Sequence, residues 1–153
     1  MKKSFVMSVM RKNMARPTWD EIWMNLAIHI AQKSRDPRLK VGSVIVTNDN
    51  TTVLAIGYNG DEQGGTNKPD SLEPGKSGFI HAEANALIKM NFSEHRGKKM
   101  YLTHSPCPVC ARMIINAKIE QVYYCESYRD TTGINILLKS GVHVKQIENC
   151  EAD

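Results

Sequence analysis

The chain has 153 residues, 41% of them apolar and 24% charged. That is the size and composition of one globular domain able to bury roughly 70% of its unfolded surface without disulfide staples, and it excludes a disordered or collagen-like chain. No apolar run approaches the roughly 18 residues of a transmembrane helix. The net charge of +4 is concentrated: Lys2, Lys3, Arg11, Lys12 and Arg16 fall in residues 1–17 with no acid, while the remaining 15 bases and 16 acids nearly cancel. Residues 1–17 therefore read as a basic N-terminal extension to a single domain, 18–153. The domain itself lacks the basic stripe that binding to a nucleic-acid backbone leaves. For the arm, charge alone leaves three readings open: a solvated extension, a nucleic-acid tail, or an acid-poor targeting peptide. No small-residue cleavage site follows the short apolar patch at residues 5–10, so export is not expected.

Thr18 and Glu21 form a capping box ahead of Trp19, Ile22, Trp23, Leu26 and Ile30, which recur at helical spacing. That helix should stop near Ser34, because Pro37 biases Asp36 away from helical geometry. Residues 41–47 and 52–56 read as two strands of a hairpin turned at Asn48-Asp49-Asn50. Residues 57–78, with six glycines and two prolines, form a long loop of the kind that is functional or an insertion. Next come a helix at 81–90, a strand at 100–103 and a helix at 109–117 behind Pro108, which suits a first helical turn. A strand at 121–125, a helix at 134–139 closed by Gly141, and a strand at 142–147 complete the order. Helices linking the later strands predict an α/β fold, a three-layer α/β/α sandwich around a five-stranded mixed sheet.

Four cysteines are too few for a disulfide framework. Cys107 and Cys110 form a Cys-x-x-Cys pair, and Cys125 and Cys150 stand alone. In the reducing compartment expected here, such a pair binds metal or is redox-active. The informative constellation is His81-Ala82-Glu83 with Pro106-Cys107-Pro108-Val109-Cys110. Zinc takes nitrogen and sulfur ligands tetrahedrally, and a catalytic zinc keeps three protein ligands and one open position. His81, Cys107 and Cys110 would supply those three, with both thiolates aimed from one helix N-terminus, where the dipole favours them. Glu83 stands close without needing to ligate, placed to move the proton of a metal-activated water. The pattern H-x-E…P-C-x-x-C is the signature of zinc nucleobase deaminases.

Around these residues the chain resembles the dCMP deaminases of the cytidine deaminase-like superfamily. The resemblance is carried by Ser34-Arg35-Asp36-Pro37 leading into Lys40-Val41-Gly42, by Gly57-Tyr58-Asn59-Gly60, and by residues 81–87, 103–111 and Tyr128-Arg129. It runs from about residue 18 to residue 147. It implies one catalytic Zn2+ per chain on His81, Cys107 and Cys110, attack of the activated water on C4 of cytosine, and proton transfer by Glu83. Ammonia and dUMP leave, the latter feeding thymidylate synthesis. It further implies substrate contacts from Arg38, Asn59, Ala82, Ser105, Tyr128 and Arg129, with Asn59 at the sugar hydroxyl and the two arginines near the phosphate. A turn role for Asn59, a surface role for either Arg and a core-edge role for Tyr128 are the alternatives.

The same resemblance implies a homo-oligomer, a hexamer in many members, activated by dCTP and inhibited by dTTP through a loop containing Gly57, Tyr58, Gly60, Gly64 and Gly65. Asp61-Glu62-Gln63 departs from the family's loop, and a triphosphate beside those acids would need Mg2+ to bridge them. The implied location is the cytoplasm (the host's, if the gene is viral), with neither nucleic acid nor membrane as partner. Rival readings are a deaminase acting on dCTP, tRNA adenosine, guanine or free cytidine, and a non-catalytic zinc-binding module. The near-neutral domain argues against tRNA, and Glu83 against the inert module.

Overall fold

The computed structural model describes residues 15–150; most of the basic arm at 1–17 lies outside them. Nine elements follow in the predicted order: α1 (Trp19–Ala31), β1 (Gly42–Thr47), β2 (Val53–Tyr58), α2 (Ala82–Lys89), β3 (Lys98–His104), α3 (Pro108–Asn116), β4 (Ile119–Glu126), α4 (Thr132–Lys139) and β5 (His143–Gln146). The capping box closes as expected, Glu21 N–H donating to Thr18 Oγ1 at 3.2 Å and Thr18 N–H to Glu21 Oε2 at 2.8 Å. In the hairpin turn Asn50 takes φ 64°, a left-handed conformation that asparagine tolerates.

The strands form one mixed sheet in the order β2-β1-β3-β4-β5. β1 is antiparallel to both neighbours, and β3, β4 and β5 run parallel, joined by α3 and α4 as parallel strands require. Alternate side chains of each strand face opposite layers. Val44, Val46, Tyr101 and Tyr123 pack against Met24, Ala27 and Ile28 of α1. Ile45, Met100, Leu102 and Val122 face the other way, with Leu87, Ile114 and Leu137 from α2, α3 and α4. This is the α/β/α sandwich of the expectation. Gly42 and Gly57 let the helices sit directly on the strands: a β-carbon at Gly42 would overlap the Ala27 carbonyl, and one at Gly57 the Ala82 carbonyl.

The topology gathers several chain ends at one edge of the sheet. The C-terminal ends of β2, β3 and β4 and the N-terminal end of β1 all open there, the usual ligand side of parallel strands.

One expectation is corrected. Cys125 and Cys150 do not stand alone but form a disulfide. The partners are 25 residues apart in sequence. They meet because β5 lies alongside β4 and the chain continues that pairing, with Ile147 N–H donating to the Tyr124 carbonyl at 2.8 Å. A disulfide is at odds with the reducing compartment read from the sequence. No helix among the described residues is long and apolar enough to cross a membrane.

Candidate active site

His81 is the N-cap of α2, and Cys107 the N-cap of α3 with Pro108 behind it. Two helix N-termini thus converge, as the sequence predicts. His81 Nδ1 lies 3.6 Å from Cys107 Sγ and 3.3 Å from Cys110 Sγ, and all three donor atoms fall within 4.8 Å of one another. Ligands 2.0–2.3 Å from a tetrahedral zinc would stand roughly 3.5 Å apart, so these spacings and this nitrogen-and-sulfur donor set fit zinc. Mg2+ and Ca2+, which want oxygen, do not fit. Cys107 also accepts the Cys110 backbone N–H at 3.4 Å. The Cys110 thiol and His81 donating to it hold its pKa down to about 4, while sharing that proton pushes Cys110 up. The shared proton thus favours thiolate character at Cys107, and a divalent cation would displace that proton.

Glu83 is 3% exposed, and burial raises its carboxyl to about 7 against the opposing pull of His81. A carboxyl titrating near neutrality can both take and return a proton. The helix start also leaves backbone N–H groups of α2 without intrahelical partners, Ala82 among them.

His81, Glu83 and Cys107 line a cavity of about 570 Å³ whose wall also includes Arg38, Asn59, Ala82, Tyr128 and Arg129, with Cys110 buried behind Cys107. Five of the six substrate positions named from the sequence thus lie on the cavity wall. The sixth, Ser105, is fully buried behind it, and its hydroxyl accepts the Tyr128 N–H at 2.8 Å, fixing the segment that carries Tyr128 and Arg129. Burial raises the Tyr128 phenol to about 12, so it stays a neutral donor. Asn59 differs from a free contact residue. Its Nδ2 donates to Leu39 O at 2.9 Å and Asp36 Oδ2 at 3.3 Å, while its Oδ1 accepts from Val41 N–H at 2.8 Å. Toward a ligand it can only accept.

Three features went unread in the sequence. Leu72, Pro74 and Phe79, from the end of the long loop, form an apolar wall of the cavity; glycine content marks such a loop but not its destination. Asp36, 9% exposed, also lines the cavity. Gly133 of α4 packs on the backbone of Pro106 and Cys107.

A second hollow of about 360 Å³ is lined by Tyr58, Gly60, Gly64, Gly65 and the intervening acids, with Asn85 and Lys89 of α2. Gly57 is not part of it and lies under α2.

Residues 17–126 match the family described as the cytidine and deoxycytidylate deaminase zinc-binding region. A probable deoxycytidylate deaminase of Drosophila melanogaster is 36% identical over 73% of this chain and 62% of its own length. The deoxycytidylate deaminase of Mus musculus is 35% identical over 79% of this chain and 74% of its own. Among solved structures, the dCMP deaminase of cyanophage S-TIM5, in complex with dCMP and dUMP, superposes with a TM-score of 0.76 at 39% identity, covering 87% of this chain and 99% of that one. A five-stranded mixed sheet with a His/Cys/Cys cluster beside a buried acid is the architecture of the cytidine deaminase-like fold. The chain belongs to the cytidine and deoxycytidylate deaminase family.

Proposed function

We propose that the protein hydrolyses dCMP to dUMP and ammonia at a zinc held by His81, Cys107 and Cys110. The observation that carries this reading is the N/S2 cluster, two of whose members, His81 and Cys107, line one cavity together with the buried Glu83. The 39% identity to a protein solved with dCMP and dUMP supports the choice of substrate. Zinc bound there would supply an acidified water able to attack C4 at neutral pH. Glu83 takes that water's proton and delivers it to N3 of the ring. A second transfer through the same carboxylate protonates the leaving amine, so that the C4–N4 bond breaks, ammonia departs and a uracil remains. The wall formed by Val41, Phe79 and Leu72 keeps bulk water from the ring and strengthens each polar contact.

Arg38 and Arg129 receive the 5′-phosphate, for which guanidinium geometry is suited, with Tyr128 donating beside them. Asn59 accepts from the sugar hydroxyl through its remaining Oδ1 lone pair. The second hollow takes dCTP as activator and dTTP as inhibitor, with Lys89 as its cation and Mg2+ screening Asp61 and Glu62. The product supplies thymidylate synthesis in the cytoplasm, and the working unit is a homo-oligomer. A substrate panel of dCMP, dCTP, CMP, deoxycytidine, guanine and an adenosine-bearing RNA tests the assignment. Preference for dCMP supports it, and preference for any other member replaces it.

A further inference from the structure

Arg38 is exposed on the cavity wall and its guanidinium makes no hydrogen bond or ion pair within the described residues. A long, unrestrained side chain is a poor phosphate ligand unless its backbone is held, because ordering its rotamers costs free energy on binding. The structure holds that backbone with a buried polar clamp. Ser34 Oγ donates to the Asn59 carbonyl at 2.8 Å and accepts the Asp36 N–H at 3.2 Å. Asp36 Oδ1 accepts the amides of Arg38 at 2.8 Å and Leu39 at 3.3 Å, bridging Pro37, which has no N–H to offer. Asp36 Oδ2 accepts from the Asn59 carboxamide, and that carboxamide spends its other two bonds on Leu39 and Val41. Ser34, Asp36 and Asn59 are 3%, 9% and 7% exposed, so water competes little for these bonds.

We propose that Asp36 is a positioning residue for phosphate recognition: through its bonds to the Arg38 and Leu39 amides and to Asn59, it fixes the backbone from which Arg38 reaches the substrate's phosphate. This rests on the reading of Arg38 as a phosphate ligand. The clamp ties together two segments, the α1–β1 connection and the end of β2, and none of its hydrogen bonds is made to His81, Cys107 or Cys110. Its loss therefore acts on where the phosphate sits and not on metal binding. A carboxylate is suited to the task, since it can accept three or four hydrogen bonds at once.

The experiment compares kcat/KM for dCMP and for deoxycytidine, which lacks the phosphate, in wild-type, Asp36→Ala, Asp36→Asn and Arg38→Ala enzymes, with zinc content measured in each. Asp36→Ala lowers the dCMP-to-deoxycytidine ratio on the order of tenfold or more, the scale on which a misplaced ligand costs rate, at wild-type zinc content. Asp36→Asn keeps an acceptor for the two amides but turns a donor toward Asn59, and gives an intermediate ratio. It also provides the readout should Asp36→Ala fail to fold. If the ratio collapses in Arg38→Ala but stays at the wild-type value in both Asp36 variants, the proposal is overturned and the role of Arg38 stands. A wild-type ratio in Arg38→Ala removes the phosphate role of Arg38 and this proposal with it.

Discussion

Gly133, in the first turn of α4, lies so close to the turn before α3 that a β-carbon there would overlap the Pro106 carbonyl oxygen and sit 3.0 Å from that of Cys107. The helix that follows β4 thus presses on the backbone that aims Cys107, one of the proposed zinc ligands. In Gly133→Ala the turn must shift, an overpacking that costs about 1–3 kcal/mol, and Cys107 shifts with it. The variant should lose zinc to a chelator well before the wild-type enzyme does. Equal retention, followed by metal analysis over a chelator series, would show that the contact serves packing alone.

Glu83 provides a stability test with a defined sign. Burial raises its carboxyl from 4.5 to about 7, so between those values the unfolded chain ionises while the folded chain holds its proton. The penalty is absent below pH 4.5, grows as pH rises to about 7 and is constant above. In chelator-treated protein, Glu83→Gln should therefore gain stability of about 3 kcal/mol at pH 8 and almost none at pH 4.5. Urea denaturation at the two pH values reads this directly; an equal shift at both would mean that ionisation of Glu83 is not penalised by burial.

The Cys125–Cys150 bond closes a loop of 25 residues, for which chain-entropy arguments give a stabilisation of about 3.5 kcal/mol as an upper value. Cys150→Ser should lower the urea midpoint accordingly and leave dCMP turnover intact, since neither sulfur lines the cavity. Thiol titration of unreduced, metal-stripped, denatured protein should find two reactive thiols. Four would show that the bond does not form in the protein as isolated.

Regulation through the second hollow is tested at low dCMP. dCTP should raise the initial rate and dTTP lower it, and Lys89→Ala, which removes the hollow's cation, should blunt both responses. A flat wild-type response sinks the effector reading of that loop.

The metal cluster was legible because its chemistry forces a spacing. Two thiolates two residues apart, at a helix start marked by Pro108, and an acid two positions after a histidine have few other uses in combination. The sheet was legible from β-branched runs and turn residues, although β3 begins earlier than its apolar pattern implied, at Lys98 and Lys99, residues 7% and 6% exposed. Charged residues conceal a strand when their stems are buried and their ammonium groups reach the edge. What stayed hidden depends on tertiary approach. The disulfide needs β5 beside β4, and the role of Gly133 needs α4 laid across α3's first turn. The use of both Asn59 amide donors inside the fold needs the 34–41 segment folded back on β2. None of these leaves a local pattern, and a turn asparagine in Tyr-Asn-Gly looks the same whether its amide donors are free or already engaged.

The most direct measurement is ammonia release from dCMP by wild-type and Glu83→Gln enzymes matched for zinc content. The account predicts about one zinc per chain in both, steady turnover in the wild type, and a rate for the variant reduced by at least the roughly 10²–10⁴-fold that a general acid–base group supplies. Comparable rates in the two proteins, or dCMP turnover by wild-type enzyme stripped of metal, would contradict it.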